Sequence, residues 1–314
     1  MVTTDLPRFP VIIGPTASGK SAMAMDIAAR FNGVVINMDS MQIYSDLRIL
    51  SARPSEEDES RVPHRLYGVL DAATVCSTAM WLDMVQPEID AVLRAGQLPI
   101  LCGGTGLYLK ALMEGLAPVP AIPDEVRNSV RTRMAAVGPE DLHAELTARD
   151  PVMGERLAPG DSQRIARALE VVTATGRSLA DWQKQAPPVP PYRPVVMTVL
   201  PPREALYAGI DRRFETMVEQ GALDEVERLV ARALPATVPA MKALGVPELA
   251  ASLRGEMLLE QAVDLAAMKS RRYAKRQMTW CRRQIISEFP LNEKYSESFK
   301  AKIFSFIENA CLTR

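Results

Sequence analysis

The octapeptide Gly14-Pro15-Thr16-Ala17-Ser18-Gly19-Lys20-Ser21 follows the apolar run 9–13 directly and satisfies the phosphate-loop pattern G-x-x-x-x-G-K-[ST]. Such a loop needs a strand to deliver the chain to a sharp turn and a helix to leave from it, because the loop amides and the first helical turn must point together at one anion. No other segment constrains the fold as much. A chain that carries it is expected to build an α/β core on a parallel sheet. Gly14 and Gly19 permit the tight backbone, Lys20 supplies a cation, and Ser21 offers a hydroxyl to Mg²⁺. Pro15, Thr16, Ala17 and Ser18 complete the expected phosphate-binding segment, which by itself does not say which phosphate ester is held.

Three further runs, 34–37, 98–102 and 195–200, are short, apolar and rich in β-branched residues. The runs at 9–13, 34–37 and 98–102 each lead into Gly or Asp/Ser and then a helical pattern, as expected of parallel strands whose C-terminal ends carry function. Two proline clusters, 118–123 and 187–194, act as hinges around a segment with helical periodicity at 124–136, 139–148, 162–175 and 178–184 and no strand-like run. After residue 200 the pattern is helical throughout, over 204–219, 223–233 and a long helix from about 256. The expected fold is a P-loop NTPase-like parallel sheet core with an all-helical insertion domain and a helical C-terminal region. Its predicted parts are 1–117, an insertion at 118–194, and the continued core with C-terminal helices at 195–314.

With 314 residues, 47% hydrophobic and 24% charged, the chain has enough apolar material for a large core and a smaller attached domain. No window approaches the ~18 uncharged apolar residues of a membrane helix, and residues 1–5 show no basic segment followed by an apolar one. A cytoplasmic monomer with no membrane partner is therefore expected. Cys76, Cys102, Cys281 and Cys311 are scattered without a C-x-x-C pair, which argues against zinc and against a disulfide framework and for buried thiols. The formal net charge of -1 conceals a local field, since residues 265–287 hold seven basic residues and no acidic one. Tyr273 and Trp280 lie two turns apart in that stretch, giving a basic face with aromatic anchors for a polyanion. A solvated helix whose arginines pair with carboxylates elsewhere is the equal alternative on composition alone.

The strand ends add further chemistry. Run 34–37 leads into Met38-Asp39-Ser40-Met41-Gln42, which sets a carboxylate at the mouth of the same cleft as the phosphate loop. Position alone leaves Asp39 as a general base, a Mg²⁺ ligand or a helix cap. Run 98–102 leads into Gly103-Gly104-Thr105-Gly106, a second glycine turn that can approach a ligand closely, with Thr105 as a hydroxyl facing the cleft. Such turns after buried strands also serve structure alone.

Taken in order and at these separations, the phosphate loop, Asp39-Ser40-Met41-Gln42-Ile43-Tyr44 and Gly103-Gly104-Thr105-Gly106-Leu107-Tyr108 resemble the tRNA dimethylallyltransferase family. So do Asp161-Ser162-Gln163-Arg164-Ile165-Ala166-Arg167-Ala168-Leu169-Glu170-Val171 in the insert and Lys275-Arg276-Gln277-Met278-Thr279-Trp280-Cys281-Arg282 in the basic stretch. The resemblance spans about residues 8–285. It implies transfer of a dimethylallyl group from dimethylallyl diphosphate to N6 of adenosine 37, beside the anticodon of tRNA, with release of diphosphate. It also implies Mg²⁺ as cofactor and Arg213, in Ile210-Asp211-Arg212-Arg213-Phe214, as a further stabiliser of the leaving group. Asp39 is then the base for the N6 proton, with Thr105 helping to position diphosphate or adenine. The implied tRNA-binding residues are Asp39, Ser40, Met41, Gln42, Thr105, Arg127, Gln163, Arg164, Ile165, Ala166, Arg167, Lys275, Arg276, Gln277, Trp280 and Arg282, arranged as a clamp on the anticodon stem-loop.

The chain departs from the family pattern in four places. It has Leu50-Ser51-Ala52-Arg53-Pro54 for Gly-Thr-Ala-Lys-Pro, Arg65 for the second histidine of Pro-His-His-Leu, Gly209 for an arginine, and Val246 where a tyrosine is usual. His64 reads as a structural histidine. A P-loop small-molecule kinase and a non-catalytic nucleotide-dependent RNA-binding module are the rival classes.

Overall fold

A computed structural model describes residues 6–188 and 191–313. The N-terminal residues 1–5 and positions 189–190 of the second proline cluster lie outside the described residues. The chain divides into two compact units, Met1–Met113 with Pro190–Arg314, and Glu114–Val189. Those bounds fall a few residues before the expected 118 and 194.

The larger unit is built on six strands: β1 (Arg8–Ile13), β2 (Gly33–Asn37), β3 (His64–Arg65), β4 (Leu98–Gly103), β5 (Arg193–Val199) and β6 (Phe289–Leu291). They form one sheet in the order β3-β2-β4-β1-β5-β6, with every pairing parallel. Both faces of such a sheet are covered, which is why β1, β2 and β4 read as unbroken apolar runs and are buried almost end to end. Strand β1 lies between β4 and β5, so the phosphate loop that follows Ile13 opens at the middle of the sheet. Helices α1 (Lys20–Arg30), α2 (Glu56–Arg61), α3 (Thr78–Arg94) and α4 (Gly106–Glu114) alternate with these strands. Ser77 starts α3 by accepting a hydrogen bond from the Met80 amide at 3.1 Å. Inside, the Trp81 indole stacks on Tyr108 with ring centroids 4.3 Å apart.

The smaller unit contains α5 (Asp124–Arg149), α6 (Pro151–Arg156), α7 (Ser162–Thr175) and α8 (Leu179–Gln183). The two expected helices at 124–136 and 139–148 run end to end across a break at Gly138, whose φ of 81° is left-handed. Val130, Leu142, Leu146, Ile165 and Leu169 meet in a core of its own. Asp161 caps α7, accepting from the Arg164 amide at 3.3 Å.

Back in the larger unit, α9 (Arg203–Glu219), α10 (Ala222–Ala231), α11 (Val246–Leu253), α12 (Leu259–Gln284) and α13 (Lys300–Ile307) complete the chain. The expectation of helix alone after residue 200 is corrected by β6. It is three residues long, too short to register as a periodic run, and its central Pro290 is tolerated because the strand lies at the sheet edge.

Candidate active site at the C-terminal edge of the sheet

Strand β1 ends at Ile13 and α1 begins at Lys20, so the loop between them must reverse within six residues. It does so by placing Ala17 (φ 62°) and Gly19 (φ 91°) in the left-handed region, a conformation that turns successive amides towards one concave side. Glycine takes such a φ freely, and Ala17 takes it at a cost that the packed surroundings must offset. The Lys20 ammonium lies over this loop and donates to Pro15 O at 3.2 Å. Burial pushes its pKa down, the negative charge of Asp39 opposes that shift, and the Arg213 cation adds to it. The three side chains thus share one electrostatic site.

Arg213 reaches the loop from α9, donating from Nη1 to Thr16 Oγ1 at 3.2 Å. Burial lowers its pKa, although a guanidinium stays charged at any working pH. A desolvated cation at a phosphate loop is poised to meet an anion, because its hydration has already been stripped.

Asp39 stands where β2 ends, and its backbone is held by a residue that sequence reading did not single out. Asn37 is fully buried. Its Oδ1 accepts from the Asp39 amide at 2.8 Å, and its Nδ2 donates to Asp39 O and Leu66 O, both at 3.0 Å. The Trp81 indole donates to Asn37 O at 3.1 Å. The half-buried Asp39 carboxylate accepts from the Met41 amide at 2.9 Å through Oδ1. One oxygen therefore closes the local turn and the other remains to meet a ligand. A polar residue closing an otherwise apolar strand was the only sequence signal of Asn37.

Thr105, the third residue of the second glycine turn, accepts from the amide of Ser40, the residue after Asp39, at 3.0 Å. Gln42 donates to Ser51 O at 2.9 Å and Ala52 O at 2.8 Å. The segment it supports is held from below by Glu225, a buried carboxylate of α10 that accepts from the amides of Arg48, Ile49 and Leu50 at 2.7, 2.8 and 2.9 Å. Sequence reading missed Glu225 as well, since nothing local marks it.

Helix α12 closes the site from above. Gln277, expected among RNA-facing residues, is instead only 7% exposed. It accepts from the Thr16 amide at 3.2 Å and donates to Gly104 O at 2.9 Å. Trp280 packs on Gly106, where an added Cβ would fall 2.4 Å from the ring. Of the seven basic residues on this stretch, Lys269 pairs with the buried Glu248 at 2.5 Å and Arg271 pairs with Asp211. Among the described residues Arg272, Lys275, Arg276, Arg282 and Arg283 have no carboxylate partner within bridging distance and are exposed. Arg272, Lys275, Arg276, Thr279, Trp280 and Arg283 line one groove, on one face at helical spacing. The pairing alternative therefore accounts for two of the seven cations only.

In the smaller unit Gln163 and Arg164 are exposed, Arg167 and Ala166 are half-buried, and Arg164 and Arg167 pair loosely with Asp161 and Glu170, each at 3.5 Å. Arg127 lies 3.7 Å from Asp124. Ile165 is corrected: it is fully buried in that unit's core, because the helical face that presents Arg164 outward turns the next residue inward. Its side chain is not available to RNA.

The departures from the family pattern have local explanations. Leu50 and the turn before Val246 meet, as an added Cβ at Gly245 would fall 2.8 Å from Leu50 Cδ2. Gly209 lies beside the phosphate loop with room for a side chain, the nearest atom to an added Cβ being Ala17 Cβ at 3.5 Å. Arg65 sits at the exposed edge strand, 4.0 Å from Glu88. His64 donates through Nδ1 to Val62 O at 2.9 Å and packs edge-on to Tyr67, and burial lowers its pKa, so it is a neutral structural group. Burial pushes the Cys102 and Cys281 thiols up to about 11, leaving them protonated. Among the described residues no helix is long and apolar enough to cross a membrane.

Comparison with known proteins places this geometry. A sequence profile described as IPP transferase matches residues 42–284. The chain is 55% identical over 309 residues to a tRNA dimethylallyltransferase of Rhodospirillum rubrum, covering 96% of this chain and 95% of that one. It is also similar to the crystal structure of a tRNA isopentenylpyrophosphate transferase from Bacillus halodurans, with 32% identity, a TM-score of 0.69 and 97% of each chain covered. A eukaryotic dimethylallyltransferase acting on tRNA shares the fold at a TM-score of 0.82 and 23% identity, over 96% of this chain and 78% of that one. With its phosphate loop, carboxylate and guanidinium gathered at one sheet edge and near-full-length identity above one half, the chain belongs to the IPP transferase family.

Proposed function

We infer that this chain is a tRNA dimethylallyltransferase, transferring a dimethylallyl group from dimethylallyl diphosphate to N6 of adenosine 37 beside the anticodon and releasing diphosphate. The observation that carries the reading is the meeting of Lys20, Arg213 and Asp39 at one sheet edge in a chain of this family. The kinase alternative is set aside, because relatives matched over nearly the whole length are named tRNA dimethylallyltransferases.

The proposed chemistry follows from the residues. Lys20, the amides of residues 17–21 and Arg213 bind the diphosphate and stabilise the charge that grows on it as the allylic C–O bond breaks. The N6 lone pair forms the new bond to the allyl carbon, and the electrons of the broken C–O bond leave with diphosphate. Asp39 takes the N6 proton, restoring a neutral amine. Thr105 fixes Ser40 and so the acceptor side of the site. Among the described residues no group of three or more His, Cys, Asp or Glu side chains could hold a metal. The hard oxygen that is present, the exposed Ser21 hydroxyl, suits Mg²⁺, which binds through few protein ligands together with substrate phosphate oxygens and water. Bound there, Mg²⁺ would neutralise diphosphate charge.

The acceptor adenine must leave its stack to reach a buried allyl carbon, so a flipped base is part of the reading. Asp39, Ser40, Met41, Gln42 and Thr105 face it. Lys275, Arg276, Trp280 and Arg282, and separately Arg127, Gln163, Arg164 and Arg167, are the proposed contacts to the phosphates and splayed bases of the anticodon stem-loop. The test is a transfer assay with labelled dimethylallyl diphosphate and unmodified tRNA. Label recovered at adenosine 37 after nuclease digestion, and lost with a tRNA carrying another base there, is the expected outcome. Phosphate transfer from ATP, with no label on tRNA, would overturn the reading.

A further inference from the structure

Gln277 lies in the basic stretch yet makes its contacts inward, to the two loops on which the reaction depends. Its Oε1 accepts from the Thr16 amide and its Nε2 donates to Gly104 O. Thr16 belongs to the phosphate loop and holds Arg213 through its hydroxyl. Gly104 precedes Thr105, whose hydroxyl holds the amide of Ser40 next to Asp39. One side-chain amide therefore spans the leaving-group side and the acceptor side.

The chemistry of that span is restrictive. The Thr16 N–H requires an acceptor and the Gly104 carbonyl requires a donor, and a side-chain amide of Gln or Asn meets both with two separate atoms fixed in one plane. Gln reaches one methylene further than Asn. The fit is tight on the turn, since a Cβ at Gly104 would lie 2.2 Å from Gln277 Nε2. Trp280, three residues on, closes against Gly106 of the same turn. Helix α12 is thus clasped to the turn at two points, and Gln277 continues the clasp to the phosphate loop, beside the backbone bond from Gly14 to Gly103 O at 3.4 Å.

We propose that Gln277 is a positioning residue: its amide sets the distance between the phosphate loop and the Gly104–Thr105 turn, so that diphosphate and acceptor are held in line for transfer. The proposal deepens the transferase reading and rests on it. Gln277 touches neither reacting atom. Its contribution lies in alignment, where a misplacement of about 1 Å is sufficient to cost on the order of 100-fold in rate.

The experiment compares Gln277→Met, which keeps the volume but bonds to neither loop, with Gln277→Glu, which keeps the acceptor for Thr16 but loses the donor and adds negative charge beside the loop. Transfer is measured at saturating substrates, and inorganic diphosphate binding is measured by calorimetry. For Gln277→Met, kcat is expected to fall about 10- to 100-fold, with the KM for tRNA within about threefold of native, since no RNA contact is lost. For Gln277→Glu, diphosphate should bind at least about tenfold more weakly, through charge repulsion. A native kcat in Gln277→Met, or a loss confined to the KM for tRNA, overturns the proposal and returns Gln277 to the RNA contacts. Should Gln277→Met fail to fold, a folded Gln277→Glu with native kcat and native diphosphate affinity overturns it equally, and failure of both to fold makes Gln277 a scaffold residue only. If the native protein transfers no dimethylallyl group, the functional reading fails instead, while the diphosphate titration still reports whether Gln277 bears on the loop.

Discussion

Replacing Asp39 by Asn isolates proton acceptance from architecture. The native carboxylate gives one oxygen to the Met41 amide at 2.9 Å, and the amide oxygen of Asn can keep that bond. The backbone of residue 39 is held by Asn37, through two bonds that do not involve the side chain of residue 39. The structural cost is thus the difference between a charged and a neutral acceptor at a half-buried site, about 1 kcal/mol. Removing a general base costs about 10²- to 10⁴-fold in rate, which at 1.36 kcal/mol per factor of ten is about 3–5 kcal/mol of barrier. The catalytic effect should exceed the structural one several-fold. Single-turnover transfer with saturating dimethylallyl diphosphate and tRNA reads the barrier directly, and thermal unfolding reads the scaffold. The expected pattern is a rate lowered at least about 100-fold, an unfolding midpoint shifted by only a few degrees, and native tRNA affinity. A rate within about threefold of native, which is under 1 kcal/mol, would refute the assignment of Asp39 as base.

Other perturbations test the remaining parts. Burial lowers the Lys20 pKa in the free protein, and the cationic form is the one that binds diphosphate, so kcat/KM for the donor should fall with rising pH below the ordinary lysine value of about 10.4. Lys20→Arg should carry that limb upward, and an alkaline limb unmoved by Lys20→Arg would dissociate it from Lys20. Lys275→Ala with Arg276→Ala should raise the KM for tRNA and flatten the salt dependence by about one unit or less per lost phosphate contact, while inorganic diphosphate binds as before; unchanged affinity and slope would leave this helix as a solvated face. Glu225→Ala strips three amides of their shared carboxylate, so stability should fall by about 3–5 kcal/mol and the unfolding midpoint by roughly 10 °C. A midpoint within about 2 °C of native, under 1 kcal/mol, would mean that water replaces the carboxylate at little cost.

Local order in the chain made part of this site readable. The phosphate loop is contiguous because one backbone turn must surround one anion, so Gly14 to Ser21 could be assigned without a fold. The placement of Asp39 and Thr105 at the sheet edge was legible because parallel strands end on one edge, and each lies within three residues of the end of an apolar run. The short strands β3 and β6 were not legible, since two or three residues set no period. Ile165 and Gln277 were misjudged for a shared reason: a motif names a stretch of helix, whereas each residue in it faces a direction set by the 100° step and by what packs alongside.

The sequence by itself determined the nucleotide-fold core, the helical character of the segment between the proline clusters, the phosphate loop and the charge of α12, because each depends on residues that are neighbours in the chain. The tertiary structure decided which distant groups share the site. It brought Arg213 to Thr16 across 197 positions and Gln277 across 261, and it put Asn37 beneath Asp39 with Glu225 beneath Arg48 to Leu50. It also separated the two cations of α12 that pair with carboxylates from the five that do not. None of these is written in a local pattern, since a hydrogen bond between remote residues exists only once packing has fixed both partners.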